Sequence, residues 1–223
     1  MTAVLATPIS QIELAPGSAI RIDGVTWESY IALLQELGDA RSTRVAYENG
    51  VLEIRMPGQP HEAVNRVLAT VALTLAEELG FDFNDLGSMT MNRPQLSKGV
   101  EPDRCFYIQN AQAGQGLGDA IANDLPPDLA LEVDIANCSD SKLSIYQAMG
   151  VPEVWLYQQR NISATTDSYI KIKHLVNGSY VDALTSRAFP SVSAEQLTQW
   201  LDVRRTVTDL TVVRAVRQFC RAR

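Results

Sequence analysis

Two carboxylates stand two residues apart inside an apolar run. The stretch "DLALEVDIAN", residues 128–137, carries Glu132 and Asp134 among Leu129, Ala130, Leu131, Val133 and Ile135. The apolar residues predict a buried strand over 129–135. In a strand, residues i and i+2 point to one face, so the two acids share a face beside the core. Paired carboxylates there repel each other and lose hydration. A strand end that reaches solvent would relieve this cost, and so would a cation held between the charges. The apolar flanks favour the cation. Magnesium prefers oxygen ligands, commonly one or two carboxylates with waters completing the shell. A third acid, Asp103, follows Pro102 in "VEPDRCFYI", at a strand start, where proline is tolerated. If strands 103–108 and 129–135 are neighbours, Asp103, Glu132 and Asp134 converge. Lys142 follows on the next helix, one turn before Tyr146 and on the same face. Tyr146 itself suits the core as well as a site.

The surrounding pattern supplies elements to position these groups. A short helix is expected over Trp27–Leu37, capped by Thr26 and stopped by Gly38. "RVAYENGVLEIRMP" reads as a hairpin turning at Asn49-Gly50. "HEAVNRVLATVALTLAEELG" carries an apolar stripe from Val64 to Leu79 at helical spacing and ends at Gly80. Strands are expected near 81–84, 88–92, 103–108, 129–135 and 153–158, with a helix near 140–149. A second hairpin turns at Asn177-Gly178. Ser193 with Gln196 forms a capping box before "AEQLTQWL", and a last helix covers 208–221. Residues 1–25 are expected to be extended and irregular, and 111–124 a loop. The three glycines of that loop are wrongly spaced for a dinucleotide fingerprint. The strand–helix–strand unit over 129–158 predicts a parallel pair with a right-handed crossover. No repeat or linker interrupts the chain, so 1–223 reads as a single α/β domain with extra hairpins.

Composition narrows the function. With 223 residues, 46% of them hydrophobic, the chain can build one sizeable core. No apolar run approaches a bilayer span, and the N-terminus lacks the basic start and apolar core of a signal peptide. Cys105, Cys138 and Cys220 are odd in number and dispersed, which points to a reducing cytoplasm and against a disulfide framework or zinc site. Cys105 and Cys138 read as inert small hydrophobes. His61 and His174 are the only histidines. A net charge of −7 does not suit a non-specific DNA binder. Positive charge gathers at the end, however, where Arg214, Arg217 and Arg221 share one helical face. That face reads either as solvated or as a contact for phosphates or a partner. No helix-turn-helix or zinc-finger reader is visible.

The constellation resembles the PD-(D/E)XK nuclease superfamily. Pro102-Asp103 matches the PD element, and Glu132-Val133-Asp134 occupies the (D/E)XK element. More narrowly, the chain resembles the Uma-type family of bacterial restriction-endonuclease-like proteins. The matching stretches are "YENGVLEIRMP", "HE", "EPD", "PPDLALEVDI" and "KLSIYQAMGVPEVWLY". The last is the most specific, with Lys142, Tyr146, Gly150, Val151, Pro152, Glu153 and Trp155 at matching spacings. The resemblance implies a restriction-endonuclease-like core, in which helices flank a central mixed sheet, with extra N- and C-terminal hairpins and helices. It implies hydrolysis of DNA phosphodiesters with magnesium, or manganese as a substitute. Asp103, Glu132, Asp134 and Lys142 would form the catalytic set. Asp103, Glu132 and Asp134 would also ligate metal, with Glu62 as a further metal-side carboxylate, although Glu62 equally suits the start of a helix. Asp134 stands where the superfamily normally has its lysine, and Lys142 from the following helix would take that role. A homodimer is implied by analogy, since two copies cut two strands. The alternative is a non-catalytic binding or regulatory protein that retains the nuclease fold, as Asp134 in the lysine position and the acidic charge would suit.

Overall fold

The computed structural model describes residues 12–38, 41–115, 125–135, 142–162 and 165–222. Strand β1 (Ala19–Asp23) and helix α1 (Trp27–Leu37) lead into the hairpin of β2 (Arg44–Glu48) and β3 (Val51–Arg55). The long helix α2 (Gln59–Leu79) follows, then four short strands: β4 (Asn84–Asp85), β5 (Met91–Arg93), β6 (Lys98–Val100) and β7 (Arg104–Tyr107). Next come β8 (Leu129–Asp134), α3 (Leu143–Met149) and β9 (Glu153–Ile162). Strands β10 (Thr165–Val176) and β11 (Ser179–Ala183) precede helices α4 (Ala194–Arg204) and α5 (Asp209–Arg221).

Local chemistry sets these boundaries. Thr26 Oγ1 accepts from the Ser29 amide at 3.2 Å and starts α1; Ser193 Oγ accepts from the Gln196 amide at 3.1 Å and starts α4. The β2–β3 turn needs two residues of positive φ, and Asn49 (48°) with Gly50 (90°) supplies them. Among the described residues no helix is long and apolar enough to cross a membrane.

The described strands form two sheets. One is mixed and six-stranded, ordered β11-β10-β9-β8-β7-β4, and the other is five-stranded, ordered β1-β3-β2-β6-β5. Strand β8 is central, parallel to β9 and antiparallel to β7. Alternation along β8 splits its side chains between two clusters. Leu129, Leu131 and Val133 pack with residues of α2, α4 and α5 such as Leu68, Leu75, Leu197 and Val216. Ala130 packs with Ile145, Tyr146 and Met149 of α3 and with Ala46, Met91 and Val100 of the five-stranded sheet. A third cluster joins Tyr30 and Leu33 of α1 to Val45, Tyr47, Leu52 and Ile54 of that second sheet.

The α/β class, the helices flanking a mixed sheet and the parallel β8–β9 pair agree with the sequence expectation. The second sheet does not follow from it. Residues 19–23, expected to be irregular, form an edge strand because Ile20 and Ile22 alternate against β3. Residues 98–100, which carry no strand signal, pair with both β2 and β5. The long β9–β10 pair was also not expected, since the polar run 165–168 lacks apolar alternation. In place of strands near 81–84 and 88–92, shorter ones stand later, at Asn84–Asp85 and Met91–Arg93, and the helix near 140–149 is described from Leu143. Loop residues 116–124, Cys138 and the expected helix start at 140–141 lie outside the described residues.

The C-terminal arginine face has a use that neither sequence reading named. Arg217 Nη2 lies 2.8 Å from Glu77 Oε2, and Arg221 Nε lies 3.2 Å from Glu78 Oε2. These two arginines pin α5 against α2, and Arg214 remains exposed.

Gly99 is where the second sheet closes on α1. Tyr30 stacks on Tyr47 with ring centroids 4.8 Å apart, and its hydroxyl donates to Asn92 Oδ1 at 2.9 Å. A Cβ at Gly99 would collide with that hydroxyl and with Asn92 Oδ1. Gly99→Ala should therefore lower stability by about 1–3 kcal/mol through overpacking, read as a shifted urea midpoint. Adding Tyr30→Phe, which removes the colliding oxygen, should recover part of the loss; an unchanged midpoint in Gly99→Ala would refute the close approach.

Candidate active site

The β7–β8 register pairs Arg104 with Leu131; one residue further, Asp103 falls opposite Glu132. Asp103 is 1% exposed. Its Oδ2 accepts from the Val133 amide at 2.7 Å and lies 2.9 Å from His61 Nε2, a close contact not aligned as a directed hydrogen bond. Its Oδ1 is 3.6 Å from Arg55 Nη2 and has no hydrogen-bond partner among the described residues. Asn65, one turn beyond His61 on α2, donates to the Asp103 main-chain carbonyl at 3.3 Å. Helix α2 thus holds Asp103 by both its side chain and its backbone.

Glu132 is saturated differently. Its Oε2 accepts from Arg55 Nη2 at 3.1 Å and from Lys142 Nζ at 2.9 Å, and its Oε1 accepts from the Tyr146 hydroxyl. Lys142 stands just ahead of α3 and is buried, and Tyr146 follows four residues later. Arg55 Nη1 also donates to the Val133 carbonyl at 3.4 Å. Asp134 is half-buried at the outer end of β8. Glu62 is 42% exposed in its side chain and meets the cluster through His61, whose Nδ1 is 3.6 Å from Glu62 Oε1. The structure therefore gathers Asp103, Glu132 and Lys142 around one point, sets Asp134 at its edge and leaves Glu62 one residue removed.

Arg55 and His61 are the members that sequence reasoning passed over. Leu52 and Ile54 turn inward in β3, so alternation already put Arg55 on the opposite face from that small core. What it meets there depends on how the two sheets pack.

Electrostatics explain how such a cluster is tolerated. Burial raises the cost of ionising Asp103, but the His61, Arg55 and Lys142 contacts outweigh it and hold the carboxyl well below the usual carboxylate range. Burial works against charge on Arg55, and the Asp103, Glu132 and Glu53 carboxylates overcome it, raising its pKa. Burial and the adjoining Glu132 push the Tyr146 phenol well above its ordinary value, so Tyr146 remains a hydrogen-bond donor. Removing one member of a buried charge set strands its partners, typically at a cost of about 3–5 kcal/mol.

Two spaces meet at this cluster. A cleft of about 580 Å³ lies between β1, β3, the start of α2 and the end of β8, with Arg55, His61 and Asp134 in its wall. Behind it, a recess of about 10 Å³ is lined by Arg55, Glu132, Asp134, Lys142, Tyr146 and Gln158, among others. The cleft is the size of a small-molecule site; the recess holds about one water or ion. Among the described residues, no group of three or more His, Cys, Asp or Glu side chains is arranged to hold a metal by itself. The oxygens around Arg55 nevertheless suit a hard cation. They come from Asp103, Glu132 and the Val133 carbonyl, and Asp103 Oδ1 is a buried acceptor without a hydrogen bond among the described residues. Magnesium is commonly held by one or two carboxylates, with water and substrate oxygens completing the shell.

The depressed Asp103 ionisation predicts an acid branch of stability. The unfolded carboxyl titrates near about pH 3.9, and the folded one lies lower. Its contribution is therefore fully present above that value and is lost as pH falls toward the folded value. Thermal melts should show wild type more stable than Asp103→Asn by about 3–5 kcal/mol near neutrality. The margin should hold down to about pH 5 and shrink below about pH 4. A margin that ignores acid would show that the charge of Asp103 is not what stabilises the fold.

A sequence model of the Uma2 family, described as "Putative restriction endonuclease", matches residues 27–215. No curated protein matches the chain. The matched region runs from the start of α1 into α5 and includes Asp103, Glu132, Asp134 and Lys142, and on that extent the chain belongs to the Uma2 restriction endonuclease family.

Proposed function

We propose that this chain is a divalent-metal-dependent endonuclease that hydrolyses DNA phosphodiesters, with magnesium as its ion and manganese as a substitute. The observation that carries the reading is the convergence of Asp103, Glu132 and the Val133 carbonyl around Arg55, with Lys142 against Glu132 in the recess that Arg55 shares with the cleft. The family description supports the nuclease class and a DNA substrate.

Each residue has a task in this reading. Asp103 Oδ1, Glu132 Oε2 and the Val133 carbonyl would hold the ion. The Val133 amide fixes Asp103 Oδ2, and the Tyr146 hydroxyl fixes Glu132 Oε1, so each carboxylate offers one oxygen in a set direction. Asp134, in the walls of both cleft and recess, would add a carboxylate or orient the attacking water. Glu62 would serve as an outer carboxylate, acting through His61. Lys142 would stabilise charge on the transition-state oxygens. A bound divalent cation would supply polarisation of the phosphate and a water of lowered pKa.

Residues 1–223 would act as one nuclease unit, in the cytoplasm, as a homodimer able to place two sites on two strands. Sedimentation of the purified chain measures that association. A non-catalytic binding protein has one observation in its favour: Arg55, Lys142 and Tyr146 already engage the Glu132 oxygens.

Cleavage of duplex DNA separates the two readings. The wild-type chain should nick DNA with magnesium or manganese and should melt at a higher temperature in their presence, because a ligand bound only by the native state stabilises it. Lys142→Ala should keep metal binding and lose roughly ten- to a thousandfold in cleavage rate, whereas Glu132→Ala should lose metal binding itself. If the wild-type chain cuts neither DNA nor RNA with either ion, the non-catalytic reading replaces this one.

A further inference from the structure

The Arg55 guanidinium sits where three oxygens converge, two from β8 and one from the residue before β7. Glu132 Oε2 is 3.1 Å away, the Val133 carbonyl 3.4 Å and Asp103 Oδ1 3.6 Å. These are the oxygens that the proposed nuclease reading assigns to a divalent ion. A hard cation and a guanidinium both seek such a cage, and both cannot fill it. Arg55 also comes from the five-stranded sheet, whereas all three acceptors belong to the six-stranded sheet or the residue that leads into it.

The way out is equally specific. Arg55 lines both the inner recess and the open cleft, so the residue borders both spaces. Lys142 touches Glu132 from the recess side and does not line the cleft. An arginine rotating away from Glu132 would move toward the cleft, whereas Lys142 has no such path.

We infer that Arg55 is a built-in placeholder cation: it neutralises Asp103 and Glu132 in the metal-free chain, competes with a divalent ion for their oxygens, and swings into the cleft when the ion binds. This inference rests on the metal-dependent reading above but does not follow from it, since a nuclease could bind its ion beside an immobile arginine. The placeholder adds a second positive charge to that of Lys142 beside two buried carboxylates, whose mutual repulsion favours protonation or unfolding. It also sets a threshold of metal concentration below which the site stays closed.

The test uses manganese alone, without nucleic acid. Calorimetric titration would compare the wild-type chain with Arg55→Gln, Lys142→Met and Glu132→Gln. Arg55→Gln should bind manganese roughly tenfold or more tightly than wild type. Its gain should exceed that of Lys142→Met, which removes an equal charge that contacts only one of the three oxygens. Arg55→Gln should also melt lower in chelator and gain more on addition of manganese than wild type does. A crystal structure of the wild-type chain with manganese should show the Arg55 head off Glu132 and in the cleft, with Lys142 still against Glu132. Should Arg55→Gln fail to fold without metal, Arg55→Lys serves in its place, because it keeps the charge but not the forked head, and the metal-bound crystal decides independently. If manganese binds through Glu132 but Arg55→Gln gains no affinity, or the guanidinium stays on Glu132 beside the ion, this inference falls and the nuclease reading stands. If no variant or wild type binds manganese in a Glu132-dependent way, both fall.

Discussion

The pairing of Arg55 with Asp103 and Glu132 is the constraint on which the arrangement of this protein depends. Two carboxylates, exposed by 1% and 5%, sit opposite each other, one within β8 and one on the residue that leads into β7. Neither could stay ionised there alone, because desolvation would drive it to take up a proton. The compensating charges come from elsewhere in the fold. Arg55 reaches across from the five-stranded sheet, and Lys142 arrives from the start of α3. The second sheet is therefore more than an appendage to a nuclease-like core, since it delivers one of the two cations that make the buried acids tolerable. Packing between the sheets and charge compensation at the site are one problem with one solution.

Two other buried carboxylates show what a purely structural acid looks like here. Glu153 accepts from the Trp155 indole at 2.7 Å and from the Arg187 and Ala188 amides at 2.9 and 2.8 Å. Glu101 pairs with Arg41 and accepts from the Val45 amide at 3.0 Å and the Thr90 hydroxyl at 2.7 Å. In both, backbone amides are among the donors, and the carboxylate works as a clamp between segments. The Asp103–Glu132 pair differs in that its main cation, Arg55, borders an open cleft. The contrast separates "EPD" into two jobs on either side of Pro102. Glu101 ties the five-stranded sheet together, and Asp103 faces the candidate site.

Helix α2 links the site to the larger core. Its buried face carries Leu68, Val71 and Leu75 into the cluster beneath β8, and its first two turns carry His61 and Asn65 to Asp103. The same helix receives Arg217 and Arg221 of α5 through Glu77 and Glu78 at its far end. Surface pairs of this kind contribute little each; here they orient α5 on a helix already anchored by burial. Rigid elements on both sides of Asp103 are what a site that must hold charge in a set direction requires.

Much of this architecture is a local property of the chain. Periodicity, caps and turn residues determine α1, α2, α4, α5 and the two Asn-Gly hairpins, because each depends on neighbours within a few residues. The central strand and its parallel partner follow from an apolar run, a helix and a second apolar run in order. The acids of β8 were legible as anomalies because charge inside an apolar strand is costly wherever it occurs. Tertiary structure decided the rest. Residues 19–23 and 98–100 become strands only because β3, β2 and β5 are there to pair with them, and no short segment encodes a partner distant in sequence. The helical face of Arg217 and Arg221 was visible, but its acidic partners on α2 were not. Arg55 could be assigned to a face of β3 by alternation alone. Its meeting with Asp103 and Glu132 required two sheets to pack with their charged faces together, and that geometry is set by the whole core.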